Sequence, residues 1–111
     1  MDKINRYREH IQQLLNLYAI NKPSFGEIET EVITDLEHDH YQLVHVGWNN
    51  KRRVYGCVLH FDIKQGKVWI QYNGTERHVA EELVELGVPK EDIVLGFHSP
   101  YRREFTDYAV N

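Results

Sequence analysis

Histidine and carboxylate side chains are the residues of this sequence best suited to chemistry. Seven histidines occur among 111 residues, and the strand pairing predicted below sets Asp39 opposite His60, with Asp62 two residues further along the same face. His38 and His40 flank Asp39. Imidazole and carboxylate groups bind zinc and similar ions, so a metal-dependent hydrolase built on Asp39, His60 and Asp62 is one hypothesis. The spacing matches no known metal motif, and the alternative is a set of polar residues at strand ends.

Two short basic runs, Lys51-Arg52-Arg53 and Tyr101-Arg102-Arg103, are the second feature with chemical meaning. Basic residues beside an aromatic ring can contact phosphates and stack on bases. A DNA-binding regulator that uses Arg52, Arg53, Arg102 and Arg103 is therefore a second hypothesis. The chain carries 13 Lys and Arg against 17 Asp and Glu, a net charge of −4, and lacks the positive footprint of a general nucleic-acid binder. Ordinary surface charge is the simpler explanation of both runs.

The sequence contains no motif that is typical of another enzyme class. Ser24 and Ser99 lie outside a Gly-x-Ser-x-Gly elbow, and no glycine loop fits a phosphate or dinucleotide. Cys57 is the single cysteine, which excludes an internal disulfide, suits a reducing compartment and is expected to be buried in its strand. No signal peptide or membrane span of ~20 apolar residues is evident. We expect a cytoplasmic protein with no catalytic residues, metal or cofactor.

The pattern of apolar residues predicts one α+β domain over residues 1–111. An amphipathic helix is expected over 2–19, with Asp2 as its N-cap. Its apolar stripe comprises Ile4, Tyr7, Ile11, Leu14, Leu15 and Tyr18. A second helix is expected after Asn73-Gly74, with Thr75 placed to cap its first turn. Gly87 is expected to end it in a Schellman motif, followed by Pro89.

Alternating segments between the two helices predict four strands, over residues 28–35, 41–48, 53–63 and 68–72. Asn49-Asn50 and Gln65-Gly66 mark two-residue hairpin turns. The predicted fold is a four-stranded antiparallel meander, with the N-terminal helix and the helix after the fourth strand packed on one face. Short turns complete the C-terminus, where residues 93–95 fit either a brief strand or a buried connection.

Centring the hairpins on those turns divides the sheet into two faces. The face expected beneath the helices carries Val44, Val46, Tyr55, Cys57, Leu59, Phe61, Ile63, Val68, Ile70 and Tyr72. The opposite face includes polar residues together with Tyr41, Leu43, Val54, Val58 and Trp69. Those five form a patch too apolar to be left in water, so the C-terminal segment, a second copy or a different protein is expected to cover it. We predict that the patch is a contact surface for a partner.

Two segments carry a resemblance to a known family. One is Val58-Leu59-His60-Phe61-Asp62-Ile63-Lys64-Gln65-Gly66-Lys67-Val68-Trp69-Ile70-Gln71, followed by Gly74-Thr75-Glu76. The other is Leu83-Val84-Glu85-Leu86-Gly87-Val88-Pro89-Lys90-Glu91-Asp92-Ile93-Val94-Leu95-Gly96-Phe97-His98. Both resemble the XisI family, as do the first helix and the Tyr108-Ala109-Val110 end, so the likeness covers essentially the whole chain. Asn73 and Ser99 depart from the residues expected there, Asp and Pro, but keep turn chemistry.

The resemblance implies an α+β fold and a controlling factor for excision of a DNA element, of cyanobacterial type. The founding member helps to remove an element that interrupts a ferredoxin gene during heterocyst differentiation, and the recombinase is a separate protein. The resemblance also implies a nuclease-like partner, XisH, but carries over no catalytic residues. We therefore predict a non-enzymatic accessory factor that binds an XisH-like protein and itself, with direct DNA contact left open.

Overall fold

A computed structural model of the chain describes residues 2–20 and 26–111, and shows helices packed against one face of a single sheet. The elements, in chain order, are α1 (Lys3–Ile20), β1 (Glu27–Asp35), β2 (His40–Asn49), β3 (Arg52–Lys64), β4 (Lys67–Asn73), α2 (Val79–Leu86), a 3-10 turn (Lys90–Asp92), β5 (Ile93–Leu95) and α3 (Pro100–Arg103). Among the described helices, none is long and apolar enough to cross a bilayer.

The sheet has five strands in the order β1-β2-β3-β4-β5. The first four are antiparallel neighbours, as predicted, but β5 runs parallel to β4, with Val68 opposite Ile93 and Ile70 opposite Leu95. The predicted four-stranded meander is therefore wrong by one strand. β5 is buried at all three positions, so it lacks the alternation that marks a half-exposed strand. Beyond β5, Val94 forms an isolated bridge with Ala109.

α1 confirms the predicted amphipathic helix. The Asp2 carboxylate accepts a hydrogen bond from the Asn5 backbone N–H at 2.8 Å, which satisfies one of the free donors of the first turn. The predicted stripe is buried, with Ile4 at its margin. The sequence also predicts a helix stop at Lys22-Pro23, because proline cannot continue a helix, and this stop lies outside the described residues.

α2 confirms one predicted terminus and corrects the other. Gly87 adopts a left-handed φ of 116°, and the Val88 N–H reaches the Leu83 carbonyl at 3.0 Å, which is the predicted Schellman stop. The predicted N-cap is wrong, because the capping position belongs to His78 and has no side-chain hydrogen bond. The Thr75 hydroxyl instead accepts from the Arg77 N–H at 3.1 Å, within the turn before the helix.

Two β-bulges determine which residues the helices cover. Leu43 pairs with Leu59 but Val44 pairs with Cys57, so β3 carries Val58 as an extra residue. Similarly, His60 pairs with Tyr72 while Phe61 pairs with Ile70, which leaves Gln71 as an extra residue in β4. Because side chains alternate along a strand, each extra residue reverses the faces beyond it.

The bulges correct the predicted faces. Five residues predicted beneath the helices do lie in the core, namely Leu59, Phe61, Ile63, Val68 and Ile70. The other five lie on the far side of the sheet by the observed register, namely Val44, Val46, Tyr55, Cys57 and Tyr72. The hairpin between β2 and β3 also turns one residue later than predicted, since Asn49 pairs with Arg52.

Three buried tyrosines donate hydrogen bonds to carboxylates, and two of these bonds connect α1 to other elements. Tyr7 donates to Asp92, and Tyr18 donates to Glu82. Tyr41 donates to Asp39 at 2.8 Å. Burial, followed by the adjacent carboxylate, raises the pKa of each of these phenols well above its usual value near 10.

We expect these tyrosines to make stability fall in alkali. Their pKa is higher in the folded chain than in the unfolded chain, so their contribution is complete below pH ~10 and decreases as the pH rises further. Each raised phenol should remove about 1 kcal/mol from the free energy of unfolding by pH ~11. Urea unfolding followed across this range checks the slope. A Tyr7→Phe/Tyr18→Phe chain should decline less steeply, and a parallel decline would refute the assignment.

Candidate functional site

The face of the sheet that points away from α1 and α2 is the main candidate site, and we call it the open face. Its apolar members are Ile33, Val44, Val46, Trp48, Tyr55, Cys57, Trp69 and Tyr72. Several are well exposed, with exposed fractions of 74% for Tyr55, 50% for Trp48 and 49% for Tyr72. Cys57, predicted to be buried, is exposed as well, because the bulge at Val58 turns it away from the core.

Charged residues border this apolar surface. Glu27, Glu29 and Glu31 are spaced two apart on β1, and stand opposite Trp48, Val46 and Val44 on β2. Residues directly opposite in an antiparallel pair share a face, so the three glutamates line the open face along β1. At the far end of the Glu27–Trp48 row, the Arg53 guanidinium lies 5.3 Å from the centre of the Trp48 ring.

A group of polar side chains occupies the other end of the open face, and we call His40, His60 and Asp62 the His–Asp cluster. One carboxylate oxygen of Asp62, Oδ1, lies 2.8 Å from His40 Nδ1 and 2.9 Å from His60 Nε2. The other oxygen accepts from the Gln71 amide at 3.0 Å. Gln42 Nε2 lies 3.4 Å from the remaining ring nitrogen of His60.

The electrostatics of the cluster follow from these contacts. Burial alone would raise the pKa of the Asp62 carboxyl, but hydrogen bonds from His40, His60 and Gln71 bring it below its usual value. The same hydrogen bond to Asp62 raises the pKa of His40. Asp62 is therefore ionised at neutral pH, although only 11% of its side chain is exposed.

The predicted group of Asp39, His60 and Asp62 is correct for two residues and wrong for the third. The Arg8 guanidinium binds both oxygens of Asp39, with Nε–Oδ1 at 2.8 Å and Nη2–Oδ2 at 3.1 Å. These bonds, opposed by burial, hold the pKa of Asp39 below its usual value. The Asp39 carboxylate is therefore already bound by Arg8 of α1 and by Tyr41. His40 occupies the position predicted for Asp39, because His40 pairs directly with Asp62.

The predicted partner contacts, Tyr41, Leu43, Val54, Val58 and Trp69, are mostly not on the open face. Tyr41 and Leu43 have exposed fractions of 0% and 2% and belong to the core, so their assignment to an uncovered surface is wrong. Val58 packs against the same core, and Val54 pairs with Gly47 in a row on the helix side. The bulge at Val58 is the physical reason.

Trp69 is on the open face, but other side chains cover it. Its ring lies between the Lys64 ammonium, 4.2 Å from the ring centre, and the Arg103 guanidinium, 5.2 Å away. Arg103 is held there by the carbonyls of Leu95, His98 and Val110, at 3.0–3.3 Å. Trp69 is therefore shielded from a partner by the C-terminal segment.

The four arginines of the DNA-binding hypothesis occupy two different elements. Arg52 and Arg53 begin β3, whereas Arg102 and Arg103 end α3. Arg52 and Arg102 are exposed. Arg53 stacks on Trp48, and Arg103 is bound by backbone carbonyls, so the guanidinium groups of these two already have partners within the chain.

Sequence reasoning did not place Trp48, Tyr55 and Tyr72 on the open face, and it named His40 only as a neighbour of Asp39. The alternation that links Trp48 to Val46 and Val44, and Tyr55 to Cys57, was visible in the sequence. A bulge leaves no comparable trace in a run as apolar as the one from Cys57 to Leu59, since every residue there suits either face.

Comparisons with known proteins agree with one another. A family model described as XisI protein matches residues 1–110. The fold is similar to the crystal structure of a XisI-like protein from Anabaena variabilis, with a TM-score of 0.90 and 49% identity over 99% of this chain and 100% of that one. It is also similar to the fdxN element excision controlling factor XisI of Anabaena variabilis, with a TM-score of 0.84, 32% identity and the same coverage. A search of curated proteins gave no match.

Proposed function

Because the chain belongs to the XisI family, we propose that it is an accessory factor that helps to control excision of a DNA element. In this proposal it performs no chemistry and acts by binding protein, namely an XisH-like partner and a second copy of itself. The role in excision is supported by the similar protein named as the fdxN element excision controlling factor. Binding through the open face is supported by the geometry described above.

The single observation that carries the binding proposal is the set of exposed aromatic side chains on the open face. Trp48, Tyr55 and Tyr72 lie on three adjacent strands, and each exposes about half of its surface or more. Aromatic residues dominate the energy of protein interfaces, and exposed apolar patches mark such interfaces. Small-molecule sites are typically concave, whereas these side chains stand on the surface of a sheet.

The charges around the aromatic residues indicate what a partner must offer. Glu27, Glu29 and Glu31 would face basic side chains in a complementary surface. The strip between them and Arg53 is apolar, with Val46 and Tyr55 at its centre. A fitting partner therefore has an apolar centre with lysine or arginine along one border.

Co-expression with an XisH-like protein, followed by affinity capture, tests the proposal. Changing both Trp48 and Tyr55 to alanine should weaken the complex. Each hot-spot residue should contribute about 2 kcal/mol or more, which for one residue is a roughly 30-fold or greater rise in Kd. Tyr101→Ala is the matched control, since Tyr101 is 70% exposed but lies in α3. This control should bind like the unaltered chain.

Three results would oppose the proposal. One is failure of the unaltered chain to capture an XisH-like protein, and another is capture that survives the double change. The third is salt-dependent retention of DNA that Arg52→Ala/Arg102→Ala abolishes, because it would favour the DNA-binding hypothesis. Sedimentation of the isolated chain tests self-association separately.

A further inference from the structure

We propose that the His–Asp cluster is a binding site for one divalent transition-metal ion, with zinc as the best chemical match. The ligands would be Nδ1 of His40, Nε2 of His60 and Oδ1 of Asp62. These atoms all lie within 4.8 Å of one another. This inference concerns the isolated chain and does not depend on partner binding.

The geometry of the cluster suits a bound ion. The donor atoms come from two adjacent strands, because His40 on β2 pairs with Asp62 on β3, and His60 lies two residues away on the same face. Donors about 2 Å from a tetrahedral ion lie about 3.3 Å apart. The nitrogen–oxygen separations here are 2.8 and 2.9 Å, so each nitrogen would move away from Oδ1 by about half an ångström to admit an ion.

The charge of Asp62 also favours a bound cation. Among the shielded carboxylates of the described residues, Asp39 pairs with Arg8, Asp92 with Lys3 and Glu82 with Arg77. Asp62 has ion-pair contacts with two histidines instead. A shielded carboxylate is stable only when its charge is compensated, and a bound cation would do this while the imidazoles stay neutral.

Neighbouring side chains support the ligands. Gln71 holds the second oxygen of Asp62 at 3.0 Å and leaves the first directed at the histidines. Gln42 lies beside Nδ1 of His60, and half a turn of its amide would present an oxygen to the N–H of that ring. Ligand histidines commonly donate their other N–H in this way.

The ligand types select the ion, and the surface gives it access. Two imidazoles with one carboxylate suit zinc and its neighbours, whereas magnesium and calcium prefer oxygen alone. The His40 side chain is 57% exposed, so an ion can enter from the open face. Three protein ligands leave a fourth position for water or for a group from another molecule.

Titration of the purified, metal-free chain with zinc and with cobalt tests the inference. We expect one ion per chain, the visible absorption bands of tetrahedral cobalt, and a rise in Tm of several degrees that a chelator reverses. His60→Ala and Asp62→Asn should each weaken binding at least tenfold. His38→Ala is the matched control, because His38 is a nearby histidine that pairs with Asp35, and it should bind the ion like the unaltered chain.

Two outcomes would overturn the site. In the first, zinc and cobalt leave Tm and absorption unchanged, which would make the cluster a hydrogen-bonded group only. In the second, the ion binds with equal affinity after His60→Ala and Asp62→Asn, which would place it elsewhere in the chain. Because metal binding is read on the chain alone, failure here leaves the partner experiment informative, and the converse also holds.

Discussion

Replacing Leu43 with alanine is expected to lower the free energy of unfolding by about 2–5 kcal/mol. Leu43 is 2% exposed and lies between Val32 and Leu59 in a row of the sheet that the helices cover. Removing its branched end takes apolar surface out of the core and leaves a cavity that the neighbours fill only in part. Urea unfolding measures the loss.

Tyr55→Ala is the control for this experiment. Tyr55 is 74% exposed on the open face. Its replacement should lower the free energy of unfolding by less than about 1 kcal/mol, because alanine favours a strand less than tyrosine does. The comparison tests the bulge at Val58 directly. If Tyr55→Ala were the more damaging change, the two residues would have exchanged faces and the bulge would be wrong.

Replacing Asp92 with alanine is the second change with a large expected effect, of about 2–3 kcal/mol. Asp92 is buried, accepts the hydroxyl of Tyr7 and pairs with Lys3 at 3.1 Å. Its loss leaves the Tyr7 hydroxyl inside the protein without an acceptor. The Lys3 side chain is half exposed, so that ion pair contributes little, and most of the effect should come from the tyrosine.

Two further variants test whether the ion pair or the tyrosine accounts for the effect of Asp92→Ala: one is a control for an exposed ion pair, and the other removes the Tyr7 hydroxyl. Asp107→Ala breaks an ion pair with Lys90 at 3.8 Å, but Asp107 is 85% exposed, so the change should be within about 0.5 kcal/mol. Tyr7→Phe should make the chain less sensitive to Asp92→Ala, since the buried donor is then absent. Equal losses from Asp92→Ala in the presence and absence of that hydroxyl would contradict the explanation.

The predictable parts of this fold are those that local chemistry specifies. Asp2 caps the start of α1 with its carboxylate, and Gly87 adopts the left-handed backbone that ends α2. The spacing of Tyr7, Ile11 and Tyr18 identified the buried side of α1 without any tertiary information. Pairing of β3 with β4 near the turn was also correct, with Ile63 opposite Val68.

The parts that sequence reasoning missed depend on single residues with no local preference. Val58 and Gln71 each shift the alternation of a strand by one position, and the effect reaches every residue beyond them. This is why Tyr55 was predicted in the core and Leu43 on the surface. The direct pairing of His40 with Asp62 was not predicted for the related reason that it depends on the register of the whole hairpin.

The two borders of the sheet differ in a way that limits assembly. On one side, Ala109 donates its backbone N–H to Ile93 at 2.8 Å, so the C-terminal segment occupies the outer side of β5. On the other, β1 has a strand neighbour on one side only within the described chain. Two copies joined through β1 would form one continuous ten-stranded sheet whose ends are both occupied. Growth by strand addition would then stop at a pair, which protects such a sheet from extending into a fibre.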